Sequence, residues 1–228
     1  AAHCIPLILK VSNLRVNSDS SGDGAIVHAR QTLEVESVAA DGKTHGPMIC
    51  DLEVRNLDAR ALSDFQLRLR ELSRTVRDAD EFAVRSIDIY GRLFKDLLNG
   101  SPELRVSRLR LATSMGDVAG SLSVKLDAPG EAAAENPLLL LRHVEASAEL
   151  TVAEALVIAL LRMDIEARPA DGSMSEEEVE ALARRRFAGE IEPLLGRNLL
   201  VRDGRDLKAR AVFSKGSLTV NGQETPLF

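Results

Sequence analysis

Apolar and polar residues alternate through much of this chain, and the phase of that alternation says which side chains share a face of a strand. Between residues 25 and 38, Val27, Ala29, Leu33 and Val35 fall on one face, with His28, Arg30, Thr32, Glu34 and Glu36 opposite. Residues 40 to 47 are rich in turn formers, and Met48, Cys50, Leu52 and Val54 then resume the pattern, which predicts a hairpin with a long loop. Two more strands are predicted around Met115-Gly116-Asp117. In the first of them Leu104 and Val106 share one phase and Leu109 and Leu111 the other, so a bulge is expected near Ser107 or Arg108. The cleanest alternation sets Val144, Ala146, Ala148, Leu150 and Val152 against His143, Glu145, Ser147, Glu149 and Thr151. A buried carboxylate on that apolar phase is costly, so Leu150→Asp is expected to unfold the domain. Leu207, Ala209, Ala211 and Phe213 are again in phase, and "SLTVNGQ" follows. Asn221-Gly222 predicts a type I′ turn that folds "QETPLF" back as a short edge strand, blunted by Pro226.

The period lengthens to that of a helix in four places. Ser63 with Gln66 reads as a capping box opening a helix that carries Phe65, Leu69, Leu72 and Val76. Tyr90, Leu93, Phe94, Leu97 and Leu98 form a second, which stops at Asn99-Gly100-Ser101-Pro102. Residues 153 to 166 read as a buried helix. Ser175 with Glu178 opens a fourth along Val179, Leu182, Arg186, Ile191 and Leu195. "APGEAAAENP" and "ARPADGSM" read as loops. Strand pairs with one-faced alternation, separated by helices, predict an α+β fold: a curved antiparallel β-sheet with helices packed mainly on one face. At 228 residues and 45% hydrophobic the chain fits one domain, 1–228, with a core that needs no staples.

Charge and composition narrow the function. A net charge of -6 is the wrong sign for a phosphate backbone, so no nucleic-acid partner is expected. Lys and Arg number 29, but acidic residues are interleaved among them, so "RVSRLRL" and "ARRRF" read as solvated faces. With 3% aromatic residues the core must be aliphatic. Cys4 and Cys50 leave both a disulfide and two free thiols open. His3, His28, His45 and His143 show no ligand spacing, and neither a Gly-x-Ser-x-Gly elbow nor a phosphate loop occurs. No catalytic residue, metal or cofactor is therefore expected. "SEEEVE" reads as favourable charge at a helix start, and Asn99-Gly100-Ser101 as a turn that also fits a glycosylation acceptor.

Several phrases in order carry a resemblance: "YGRLFKDLLNGSPELRVSRLRLATSMGDVAGSLSVKL", then "VEASAELTVAEALVIALL", a late helix, and "SKGSLTVNG". Together, over residues 48 to 228, they resemble the YdgA-like family of bacterial envelope proteins of unknown function. The resemblance implies the C-terminal part of a longer protein, held at the periplasmic face of the inner membrane by a segment outside this sequence. It transfers no reactive residues.

The favoured reading is a non-enzymatic envelope protein whose sheet shelters a lipid or other hydrophobic ligand. The small-residue apolar phases supply the candidate contacts: Val144, Ala146, Ala148, Leu150, Leu207, Ala209, Ala211 and Phe213. The competing readings are that the helix over 153 to 166 fills this space as ordinary core, and that the domain is a structural module pairing with itself as a homodimer or with another envelope protein. An unrecognised hydrolase is the remaining alternative.

Overall fold

The computed structural model describes residues 9–40, 43–98, 100–127, 137–167 and 174–226. Its strands, 47% of the described residues, form one open, 11-stranded antiparallel sheet. In chain order the strands are β1 (Leu9–Gly22), β2 (Ile26–Ala40), β3 (Lys43–His45), β4 (Met48–Asp58), β5 (Glu103–Thr113), β6 (Gly116–Leu126), β7 (Val144–Ala153), β8 (Val201–Asp203), β9 (Asp206–Ser214), β10 (Ser217–Val220) and β11 (Gln223–Thr225). Spatial order follows sequence order, β1-β2-β4-β5-β6-β7-β9-β10-β11, with β3 beside β2 and β8 beside β9. Helices α1 (Ala59–Thr75) and α2 (Ala79–Leu98) are inserted between β4 and β5. Helices α3 (Glu154–Ala167) and α4 (Glu176–Gly196) are inserted between β7 and β9. The fold is α+β, as the alternation predicts.

Cross-strand partners point to the same face, so the registers sort every side chain. The expected bulge is present: Asp51 pairs with Arg108 but Leu52 with Val106, which leaves Ser107 as the extra residue. That shift brings Leu104, Val106, Leu109 and Leu111 onto one face despite their opposed phases in sequence. The predicted I′ turn is also present, with φ of 47° at Asn221 and 82° at Gly222, and β11 returns along β10.

Each helix pair has its own small core. Ile165, Val179 and Ala183 are buried between α3 and α4, with Ile158, Leu161, Met174 and Leu182 packed around them. Arg186 of α4 reaches Asp164 of α3 at 2.9 Å, and Arg162 reaches Glu180 at 3.3 Å. Ser175 and Glu178 close the expected capping box at the start of α4. The rings of Phe65 and Tyr90 join α1 to α2 with centroids 5.2 Å apart.

Two expectations need correcting. α1 opens at Asp58 rather than Ser63: the Asp58 carboxylate accepts from the Arg60 and Ala61 backbone N–H groups, so β4 passes into the helix without a loop. α3 is not buried all round, because only one stripe faces α4 and the sheet; Leu160 and Met163 are 55% and 59% exposed. Cys4, His3, Asn99 and most of the two predicted loops lie outside the described residues.

Candidate functional site

The two faces of the sheet differ in chemistry. On one, charges alternate along and across the strands. Arg108 meets Asp51 at 3.0 Å, Arg110 meets Asp117 at 2.8 Å, Arg105 meets Glu103 at 2.6 Å and Arg210 meets Glu149 at 3.3 Å. Arg55, 2.8 Å from Glu53, hydrogen-bonds its carboxylate and holds it below the ordinary carboxylate range. The Arg-rich stretch of β5 is thus a solvated face, as its composition suggests.

The other face is apolar. From β2 to β10 it presents Leu33 and Val35, then Met48, Cys50, Leu52 and Val54, then the four β5 side chains, then Val118, Leu122 and Val124, and then the predicted residues of β7 and β9. Leu218 and Val220 complete it. Among the paired residues, no Asp, Glu, Lys or Arg of β2, β4 to β7, β9 or β10 projects from this side; Arg202 of β8, opposite Leu207, is the charged side chain at its margin. The free thiol of Cys50 sits within it, half-buried.

All eight predicted contact residues lie on this face. Ala146 pairs with Phe213, Ala148 with Ala211, and Leu150 with Ala209; Val144 faces Leu126, and Leu207 faces Val152. They are only its second half. Leu122 opposite Ala148 and Val124 opposite Ala146 extend it into β6, and the registers carry it on through β5, β4 and β2. At Gly120, opposite Leu150, a Cβ would stand 2.9 Å from the Glu149 carbonyl oxygen and 3.8 Å from a Leu150 methyl, so the site of closest approach is kept bare.

Helical cover of the sheet is local. α3 packs against β6 and β7, where Leu207 is 1% exposed and Ala153 and Leu156 are buried. α1 and α2 pack on β4. Between these places Leu150 is 45% exposed, Leu104 39% and Leu122 36%, while most of their neighbours on the face are half-buried and Val35 is buried. Leu150 therefore lies on the expected face without being core, which overturns its expected role as a folding determinant. The chain's accessible surface is 15685 Å² for 24.7 kDa, against about 10,000 Å² for a compact monomer of that mass.

At the covered margin an open cavity of about 910 Å³ lies between the Met115-Gly116-Asp117 turn, the start of α3 and the β8–β9 turn. Its rim is polar. Arg202 is held there by Glu154 at 3.0 Å and Glu192 at 3.2 Å, and those carboxylates raise its pKa further. The chemistry available elsewhere is sparse. His28 Nδ1 accepts from the Asn56 backbone N–H at 3.3 Å, and no group of three His, Cys, Asp or Glu able to hold a metal occurs among the described residues.

One residue that the pattern placed only as a turn former does more. The Asn221 backbone N–H donates to the Arg210 carbonyl at 2.8 Å, and its Oδ1 accepts from the Arg210 N–H at 2.8 Å. Its Nδ2 donates to the Asn198 carbonyl at 2.9 Å. Asn221 thereby ties the last hairpin to β9 and to the end of α4.

No curated protein and no solved structure matches this chain. A family described as bacterial protein of unknown function, DUF945, matches residues 6–228. Covering nearly the whole length, that match places the chain in the DUF945 family of bacterial proteins.

Proposed function

We propose that this protein binds the acyl chains of a lipid, or an equally apolar ligand, on the open face of its sheet, as a non-enzymatic component of the bacterial cell envelope. The observation that carries this reading is the apolar face running from β2 to β10, uncharged except for Arg202 at its margin, with Leu104, Leu122 and Leu150 exposed in its middle. The open part of the face, which carries no fixed charge, favours a ligand with none on the part that lies against it, because an unpaired ion there would lose its hydration without compensation. Acyl chains meet that demand, and the headgroup would remain at the margin, in water. The resemblance to YdgA-like envelope proteins supports a periplasmic location at the inner membrane, where such ligands are abundant.

Native mass spectrometry of the purified protein tests the binding. Co-purifying lipid that is lost in Leu150→Asp supports the reading, and protein that is lipid-free and takes up no added phospholipid overturns it.

A further inference from the structure

The two edges of the sheet are built differently. At one, β11 is three residues long and is followed by Pro226, which has no N–H to offer a further strand. At the other, β1 extends over 14 residues and pairs only with β2 among the described residues. Its outer row of backbone donors and acceptors has no neighbour among the described residues. The apolar face continues onto this edge through Leu14 and Val16, which are 56% and 50% exposed. A long edge with exposed apolar side chains invites another strand.

We propose that this strand is β1 of a second copy of the chain, paired antiparallel about a two-fold axis at Asn17, so that two sheets join into one. Symmetric self-pairing must match odd positions with odd and even with even, which keeps each face on its own side. Among the allowed registers, centring on Arg15 sets two like charges opposite each other. Centring on Asn17 sets Arg15 of each copy opposite Asp19 of the other. The pairing within the chain already places Arg15 opposite Glu34 and Asp19 opposite Arg30. The joined sheet then carries an alternating row of Arg30, Asp19, the partner subunit's Arg15 and the partner subunit's Glu34. On the opposite face Val16 comes beside the partner's Ser18, and the two apolar faces become continuous. The left-handed residue Asn13, φ 48°, whose side chain bonds Glu36, falls near the end of the paired stretch and leaves its middle regular. This pairing stands apart from the ligand on the face, since it uses the edge.

Sedimentation velocity over a concentration series tests it on the chain as given, with Arg15→Glu as the first variant. The wild type should dimerise, and Arg15→Glu, which sets two carboxylates opposite each other twice, should weaken the dimer roughly tenfold. Arg15→Glu combined with Asp19→Arg should restore it. Facing Cα atoms in an antiparallel pair stand about 4.5–5.5 Å apart, within reach of a disulfide. Asn17→Cys in a Cys4→Ser, Cys50→Ser background should therefore cross-link two copies on oxidation, whereas Ser21→Cys should not. A chain that stays monomeric at its solubility limit overturns the proposal. So does a dimer indifferent to Arg15→Glu and not cross-linked through Asn17→Cys, which would place the interface elsewhere.

Discussion

Leu207 and Leu150 stand almost side by side on the same face: Leu207 is opposite Val152, and two residues on Ala209 is opposite Leu150. Leu207 is 1% exposed and Leu150 is 45%. Nothing in their strands distinguishes them, since both follow the same alternation and both point away from the charged side. The difference comes from their surroundings: Leu207 is flanked by β8, whose Arg202 stands opposite it, and α3, which leaves β7 at Glu154, packs on the neighbouring strands β6 and β7. Alternation thus identifies which side of a strand avoids water, while the cover over that side is a separate, tertiary fact. The open region has the composition of a core and lacks its neighbours, which is the feature the proposed ligand would use.

The sharpest way to break this contrast is Leu207→Asp. A carboxylate at this buried position loses its hydration, and the cation opposite it, Arg202, is already engaged by Glu154 and Glu192, so a loss of several kcal/mol and failure to fold are expected, read as the urea midpoint. A midpoint near that of the parent would mean the covered margin is open in solution. Asn221→Ala should come next, at about 2–4 kcal/mol: two side-chain hydrogen bonds are lost and alanine must hold a left-handed φ. Asn221→Gly, which loses the bonds but keeps the conformation, should cost about half as much. Gly222→Val, at φ 82°, should cost on the order of 1–3 kcal/mol if the terminal hairpin persists in solution, and almost nothing if it frays.

Smaller effects sharpen the comparison. Ser175→Ala removes one half of the α4 capping box and should cost about 1 kcal/mol, weakening the helix pair that provides the cover. Glu178, whose carboxylate accepts from the Ser175 backbone N–H, is held below the ordinary carboxylate range. Its contribution is therefore present at neutral pH and lost as pH falls through that range and below it, so Glu178→Gln should flatten the acid limb of a stability profile. Leu150→Asp should cost least, under about 1 kcal/mol, because its new charge meets water directly. If it unfolds the protein as Leu207→Asp does, the open face is covered in solution by something the chain itself supplies.

The sheet was legible strand by strand. The conflict of phase between Val106 and Leu109 located the bulge at Ser107, and Asn221-Gly222 located the last turn, because both signals are local and steric. The edge strand β1 was not legible: its apolar positions are few, Leu14 and Val16 among Ser and Asn, and its hydrogen bonds to β2 rather than its side chains make it a strand. The start of α1 was missed for a different reason. Asp58 ends an alternating strand and caps a helix at once, whereas Ser63 and Gln66 mimic a cap one turn inside. Half of the candidate face was named from small side chains on β7 and β9. The other half, across β6, β5, β4 and β2, needed the order of strands, which no single segment contains.

That order also bears on how the chain finds its fold. Each strand of the main path lies beside the strand before it, so most pairings close over short turns at little entropic cost. Three do not: β6 must meet β7 across the residues from 127 to 143, and over still longer stretches β4 must meet β5 and β7 must meet β9, the last two being the gaps that hold helix pairs. At each of those two gaps the intervening residues form an antiparallel helix pair that leaves the sheet and comes back, delivering the next strand close to where the last one stopped. The helix pairs thus act as preformed spacers, turning the two longest loop closures into local events and letting the sheet assemble by zippering.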